Sequence, residues 1–227
     1  ALTKEIETCI ARGFQGVKPG ALSLSQVTEF GQVYSLDELV ALSAIARSHG
    51  LPVHLDGARF ANAMISLGCS AAEMSWKAGI DAVSFGGTKN GCMGVEAVVL
   101  FDGSKAEEFE ARRKRGGHLF SKHRYLAAQM QGYLAEDAWL NAARQSNDNA
   151  AYLVENLKAL DVAFDYEPAA NVIFCSFTKP MHDALQSAGA SYYFHEKSDG
   201  TFGARLVCDW SIPRSDIDLF LKVCRSA

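Results

Sequence analysis

No stretch of this sequence is apolar for long enough to cross a membrane as a helix. Every uninterrupted hydrophobic run is far shorter than the roughly 20 residues that such a helix requires. The N-terminal residues, ALTKEIETCIARG, include acidic side chains where a secretion signal would have its apolar core. We therefore expect a soluble, cytoplasmic protein without a membrane partner. Because the sequence has no initial methionine and opens on an amphipathic helical pattern, we also expect that an upstream segment is absent.

The sequence also lacks a large excess of charge and any paired cysteine motif. Its 227 residues carry a formal net charge of -4, which gives no electrostatic reason to expect nucleic acid or anionic lipid as a partner. The six cysteines form no C-x-x-C pair and have no histidine at metal-ligand spacing, so neither a zinc site nor a redox dithiol is indicated. We expect free thiols in a reducing compartment, no metal, and small metabolites as partners.

Patterns typical of strands and helices alternate over the first hundred residues. Ser35 and Glu38 have the spacing of a capping box at the start of a helix. Ser70 and Glu73 repeat that spacing and predict a second helix over SAAEMSWKAG. The alternation predicts an α/β fold, with a mainly parallel sheet and helices on both of its faces. Strands are predicted at residues 21–27, 53–55, 82–85 and 95–101.

The pattern changes in the second half of the chain. From Lys105 onward the sequence favours long helices, and after Asp161 short strand patterns alternate with helices. This predicts a smaller α+β domain at the C-terminus. We therefore divide the chain into a partial large domain with its linking helices, residues 1–158, and a small domain, residues 159–227.

One lysine has a distinctive setting, directly after an apolar strand and among small residues, in SFGGTKNGCMG. This lysine is Lys89, and Asp56 closes the preceding strand. The carboxyl ends of parallel strands meet at one edge of a sheet, so we expect both side chains in one crevice. A partly exposed ion pair is one interpretation. A pyridoxal phosphate site is another, since such enzymes need a lysine amine to hold the cofactor and an acid against its ring nitrogen.

Four segments of the chain together resemble one enzyme family. They are SQVTEFGQVYSLDEL, HLDGARFANA, SFGGTKNGCMG and ARLVCDWSIPRSDID, and the resemblance runs from about residue 20 to the end. It is to the threonine aldolases, in the β-eliminating lyase group of the aspartate-aminotransferase fold. The resemblance implies pyridoxal 5'-phosphate as cofactor, Lys89 as its Schiff-base lysine and Asp56 as the partner of its ring nitrogen. It also implies that Arg59 and Arg205 bind the substrate carboxylate, while Thr88 is predicted to contact the cofactor.

The resemblance further implies a reaction and an assembly. Members of this family cleave β-hydroxy-α-amino acids such as L-threonine and L-allo-threonine to glycine and an aldehyde, and they assemble as dimers or tetramers. The alternatives are another pyridoxal phosphate-dependent lyase or aminotransferase of the same fold, and an inactive fragment. The family's phosphate-binding turn and ring-stacking histidine have no counterpart in residues 1 to 20, so we expect weak cofactor binding and little or no activity if that part is absent. His54 is expected to pack in or beside the sheet rather than act in catalysis.

Overall fold

The computed structural model describes residues 1–13 and 16–227, which form two four-stranded sheets joined by helices. In the first sheet the strands lie in the order β1, β2, β3, β4, and the first three are parallel while β4 is antiparallel. The mainly parallel sheet with helices predicted from the sequence is confirmed. Its strands are β1 (Leu22–Ser25), β2 (Val53–Gly57), β3 (Ala82–Gly86) and β4 (Glu96–Leu100).

Five helices precede or follow these strands within the first two thirds of the chain, and a sixth leads to the second sheet. They are α1 (Leu2–Ala11), α2 (Leu36–Ser48), α3 (Phe60–Leu67), α4 (Ala106–Arg115), α5 (Arg124–Leu134) and α6 (Ala138–Lys158).

The helix α2 begins as the sequence predicts. The Ser35 hydroxyl accepts a hydrogen bond from Glu38 N, and the Glu38 carboxylate accepts one from Ser35 N at 2.8 Å. This reciprocal capping satisfies amide groups that the first turn of a helix leaves without partners. The helix then buries Leu39 and Ala46 in the same core as Leu24 and Leu55 of the sheet.

The second capping box forms, but no α-helix follows it. Ser70 and Glu73 make the expected hydrogen bonds. Beyond them, Ser75 N bonds to Ala72 O, whereas Lys77 N bonds to the same Ala72 O from five residues away. Because the spacing of these bonds changes from three to five residues, a regular α-helix cannot propagate, and only a short 3₁₀ turn forms at Trp76–Ala78.

The second sheet is antiparallel, with its strands in the order β5, β6, β8, β7. Its core joins Ile173 and Phe177 of β6 to Leu153 of α6 and Leu221 of α8. The sequence predicts such an α+β arrangement. The division at residue 158 stays a prediction, because α6 contributes to this core and also packs through Trp139 against the first sheet's core. The remaining elements are β5 (Ala163–Phe164), β6 (Val172–Phe177), α7 (Lys179–Ser187), β7 (Tyr193–Glu196), β8 (Phe202–Val207) and α8 (Arg214–Arg225).

All six cysteines are free thiols. Burial raises the pKa of Cys175 and of Cys208 to about 12, so these thiols stay protonated.

Across residues 1–13 and 16–227, no helix has both the length and the apolar character needed to span a membrane. The same residues contain no group of three or more His, Cys, Asp or Glu side chains arranged to hold a metal ion.

Candidate active site

The alternation of side chains along β2 positions Asp56. Val53 and Leu55 point into the buried core, so His54 and Asp56 lie on the opposite face of the sheet. His54 hydrogen-bonds through its two ring nitrogens to the hydroxyls of Ser23 and Ser84, at 2.8 and 2.9 Å, which places it beside the sheet as predicted. The Asp56 carboxylate accepts a hydrogen bond from Ala58 N at 3.0 Å, and this bond fixes its orientation at the carboxyl end of the strand.

Lys89 lies on a short loop that leaves β3 and returns as β4. The loop closes on itself because Gly87 N bonds to Val95 O, and Lys89 occupies the middle of a 3₁₀ turn, Thr88–Asn90. The side chain is exposed. Within the part of the chain that the structure describes, no salt bridge joins Lys89 to Asp56. The simple ion pair considered from the sequence is therefore not formed, although both side chains line one crevice.

Two arginines converge on the same crevice. Arg59 comes from the turn between β2 and α3, and Arg205 comes from β8 of the second sheet. Burial lowers the pKa of Arg59, and the positive charge of Arg205 lowers it further, while Glu29 acts in the opposite direction. The Arg59 Nε atom is buried and has no hydrogen-bond partner among the described residues. Two guanidinium groups held close together in this way fit a carboxylate ligand.

Thr88 forms part of the turn that bears Lys89. Its hydroxyl accepts a hydrogen bond from Val95 N at 3.1 Å, so it closes the loop of Lys89. The side chain is exposed, and it is not among the residues that line the crevice with Lys89 and Asp56. Its contact with a cofactor stays a prediction.

Two features of the site were not identified from the sequence. Glu29 lines the crevice near the arginines. It belongs to the segment SQVTEFGQVYS, but we assigned it no role from the sequence. Tyr133 lies behind the lysine loop and hydrogen-bonds to Asn90. A carboxylate just after a predicted strand was a usable signal for Glu29. No sequence signal pointed to Tyr133, which belongs to a helix 43 residues away from its partner.

The chemistry of these side chains fits pyridoxal phosphate. The crevice offers a carboxylate for a protonated ring nitrogen, a primary amine for an aldehyde, and two guanidiniums for a substrate carboxylate. The buried Arg59 Nε atom supports the carboxylate-binding part of this arrangement, because a buried donor without an acceptor is costly unless a ligand satisfies it.

We expect Gly86→Ala, at the edge of the crevice, to lower the free energy of unfolding by about 2 kcal/mol. A Cβ atom at Gly86 would lie 2.6 Å from Ala58 O and 2.7 Å from Ala58 Cα, and backbone atoms cannot easily move away. Gly132→Ala in α5 is the matched control, since nothing lies within 4 Å of its Cβ position. We expect that change to stabilise the protein by about 0.5 to 1 kcal/mol. Urea unfolding measures both, and equal effects would contradict the close approach at Gly86.

Comparison with known proteins agrees with this geometry. The family model described as "Beta-eliminating lyase" matches residues 3–180. A low specificity L-threonine aldolase of Pseudomonas aeruginosa is 43% identical over 211 residues, covering 92% of this chain and 59% of the relative. A second one, from a Pseudomonas species, is 42% identical over 196 residues, covering 85% of this chain and 55% of the relative. The chain thus spans less than two thirds of the length of these curated relatives.

Solved structures show the same relationship. A threonine aldolase of Leishmania major superposes with a TM-score of 0.90 at 27% identity, covering 99% of this chain and 66% of that one. A serine palmitoyltransferase of Sphingomonas wittichii superposes with a TM-score of 0.66 at 15% identity, covering 99% of this chain and 58% of that one, which indicates a shared fold. The family predicted from the four motifs is confirmed. Because the family model matches well over half of its residues, this chain belongs to the β-eliminating lyase family.

Proposed function

We propose that this chain is part of a pyridoxal phosphate-dependent aldolase that cleaves threonine and related β-hydroxy-α-amino acids to glycine and an aldehyde. The observation that carries the proposal is the convergence of Arg59 and Arg205 on the crevice that contains Lys89 and Asp56. A sequence relative at 43% identity and a solved structure at 27% identity are both named as threonine aldolases. The substrate of those relatives is the reason for choosing threonine.

Two residues would hold the cofactor. When bound, pyridoxal phosphate supplies an aldehyde that links to amines and a ring that accepts electrons from the bond being broken. Lys89 Nζ would form the link to the aldehyde, and its exposure leaves it accessible. The Asp56 carboxylate would face the ring nitrogen and keep its proton in place, because a negative charge nearby favours the protonated form of a base.

The arginines determine which bond of the substrate breaks. A carboxylate bound by Arg59 and Arg205 cannot rotate freely about the bond to Cα, so these side chains fix the direction of the Cα–Cβ bond. Cleavage then breaks that bond, the β-hydroxyl loses its proton, and Cα gains one to give glycine. Lys89 lines the same crevice, and its side chain in the ammonium form would deliver a proton at Cα.

The products distinguish this proposal from the other reactions of the same fold. The purified chain is mixed with pyridoxal phosphate and L-threonine, at protein concentrations that allow a single turnover to be detected. We expect glycine and acetaldehyde in equal amounts, measured by amino-acid analysis and by reduction of acetaldehyde with NADH and alcohol dehydrogenase. A 2-oxo acid with release of ammonia would instead show an eliminating lyase, and a 2-oxo acid with transfer of the amine would show an aminotransferase. Absence of glycine above the rate without protein would instead identify this chain as an inactive fragment.

The dimer or tetramer expected from the resemblance stays a proposal, as does the cytoplasmic location. Support for an assembly comes from large apolar side chains that are exposed between β3 and α6. Met93 is 92% exposed and Phe120 is 49% exposed. Side chains of this kind are commonly covered when subunits associate.

A further inference from the structure

The loop that carries Lys89 is held from behind by a buried amide. The Asn90 side chain, 4% exposed, follows the lysine directly. Its Nδ2 atom donates one hydrogen bond to Tyr133 Oη at 2.7 Å and another to Trp139 O at 2.8 Å. Both protons of the amide are therefore used, and both acceptors belong to the helical layer formed by α5 and α6.

The Tyr133 hydroxyl forms hydrogen bonds with residues before and after Lys89 in the sequence. While its hydroxyl oxygen accepts from Asn90, its hydroxyl proton is donated to Gly86 O at 3.3 Å. Gly86 is the last residue of β3 and Asn90 follows Lys89, so one hydroxyl group is bonded to the chain on both sides of the lysine. Tyr133 is 7% exposed, and burial raises its pKa to about 12. The hydroxyl consequently keeps its proton, and can donate it to Gly86, throughout the usual pH range of an enzyme.

The side chain of Gln129 holds a different part of the loop, residues 93–94, which lies closer to β4. The Gln129 side-chain oxygen accepts hydrogen bonds from Met93 N at 3.0 Å and from Gly94 N at 3.2 Å. These two hydrogen bonds do not involve the turn Thr88–Asn90 that bears Lys89. Loss of the Tyr133 hydroxyl is thus expected to loosen residues 86–91 while residues 93–94 keep their own support.

We propose that Tyr133 is a positioning residue for Lys89, because its hydroxyl fixes the turn from which the lysine side chain projects into the crevice. The Lys89 side chain is exposed and, in residues 1–13 and 16–227, forms no salt bridge, so its direction depends on the backbone that carries it. The link to catalysis rests on the proposed function. The positioning of the turn itself does not.

The test compares Tyr133→Phe with Tyr125→Phe in the intact chain. The first change removes only the bridging hydroxyl, and the second removes a hydroxyl from a tyrosine that is 61% exposed and remote from this network. Hydrogen–deuterium exchange without cofactor reports on the turn. Reduction with borohydride after a fixed time with pyridoxal phosphate, followed by peptide mass spectrometry, reports how much cofactor has linked to Lys89.

For Tyr133→Phe we expect exchange at residues 86–91 to accelerate about tenfold, with residues 93–96 little changed, and linkage at Lys89 to slow about tenfold. Tyr125→Phe is expected to match the unsubstituted chain in both measurements. Because burial raises the pKa of Tyr133 to about 12, the hydroxyl keeps its proton, and we expect linkage to be faster in the unsubstituted chain than in Tyr133→Phe at both pH 6 and pH 10.

Unchanged exchange at residues 86–91 would overturn the proposal. Acceleration spread equally over the whole chain would also overturn it, because that result shows a loss of global stability instead of a loss of local position. If the unsubstituted chain itself acquires no cofactor at Lys89, the proposed function fails. The exchange measurement still decides in that case whether Tyr133 positions the turn.

Discussion

Replacing Lys89 by alanine is expected to reduce the cleavage of threonine by at least about 1000-fold. In the proposed function, the change removes the amine that would link to the cofactor and deliver a proton at Cα. Neighbouring side chains cannot substitute for it, because Asp56 and the two arginines that share the crevice are not primary amines. Formation of glycine from L-threonine, measured at saturating cofactor, gives the size of the loss.

The thermal stability of Lys89→Ala separates loss of chemistry from loss of fold. Since the Lys89 side chain is exposed and joins none of the ion pairs formed by the described residues, we expect the melting temperature to stay within about 1 °C of the unsubstituted value. Lys77→Ala is the matched control, because Lys77 is also exposed and lies outside the crevice. Activity retained by Lys89→Ala, or lost equally by Lys77→Ala, would contradict the assignment of the lysine.

The sequence predicts well those parts of the fold that depend on contacts between residues close together in the sequence. The capping box at Ser35 and Glu38 involves atoms three residues apart, so the sequence contains everything needed to predict it. The box at Ser70 and Glu73 forms for the same reason. No α-helix follows it, because the backbone hydrogen bonds change their spacing at Ala72 O while Met74 packs into the core. Packing of this kind is not visible in a local pattern.

The candidate site shows the same difference between near and distant contacts. Asp56 and Lys89 could be predicted to share an edge, because the ends of parallel strands must lie together. The position of Arg205 depends on how the second sheet docks. A Cβ atom at Gly31 would lie 2.4 Å from Val172 O, so this docking requires a glycine at a point that no periodicity marks. From the sequence, only the resemblance of the motif around Arg205 to a known family placed this residue at the site, and its role there stays a prediction.

Arg205→Ala is expected to raise the KM for threonine about 100-fold while leaving the protein without substrate at least as stable as before. The loss of affinity follows from removing one of the two arginines that we propose bind the carboxylate. The stability follows from the sign of the pKa shift. Burial and Arg205 both lower the pKa of Arg59, which means that the protonated Arg59 is less favourable in the folded chain than in the unfolded one. Removing Arg205 removes its repulsion of the Arg59 charge, which is the second of the two effects that lower this pKa.

Arg205→Lys tests this explanation, because it keeps the repelling charge but loses the planar pair of donors. We expect it to raise KM without the gain in stability, and we expect Arg112→Ala, which removes an arginine that is 68% exposed, to leave KM unchanged. Initial rates give KM, and urea unfolding without cofactor or substrate gives the free energy of unfolding. If Arg205→Ala instead destabilised the protein and left KM unchanged, Arg205 would be an ordinary charge on a strand of the small domain. Binding of the substrate carboxylate would then not depend on Arg205.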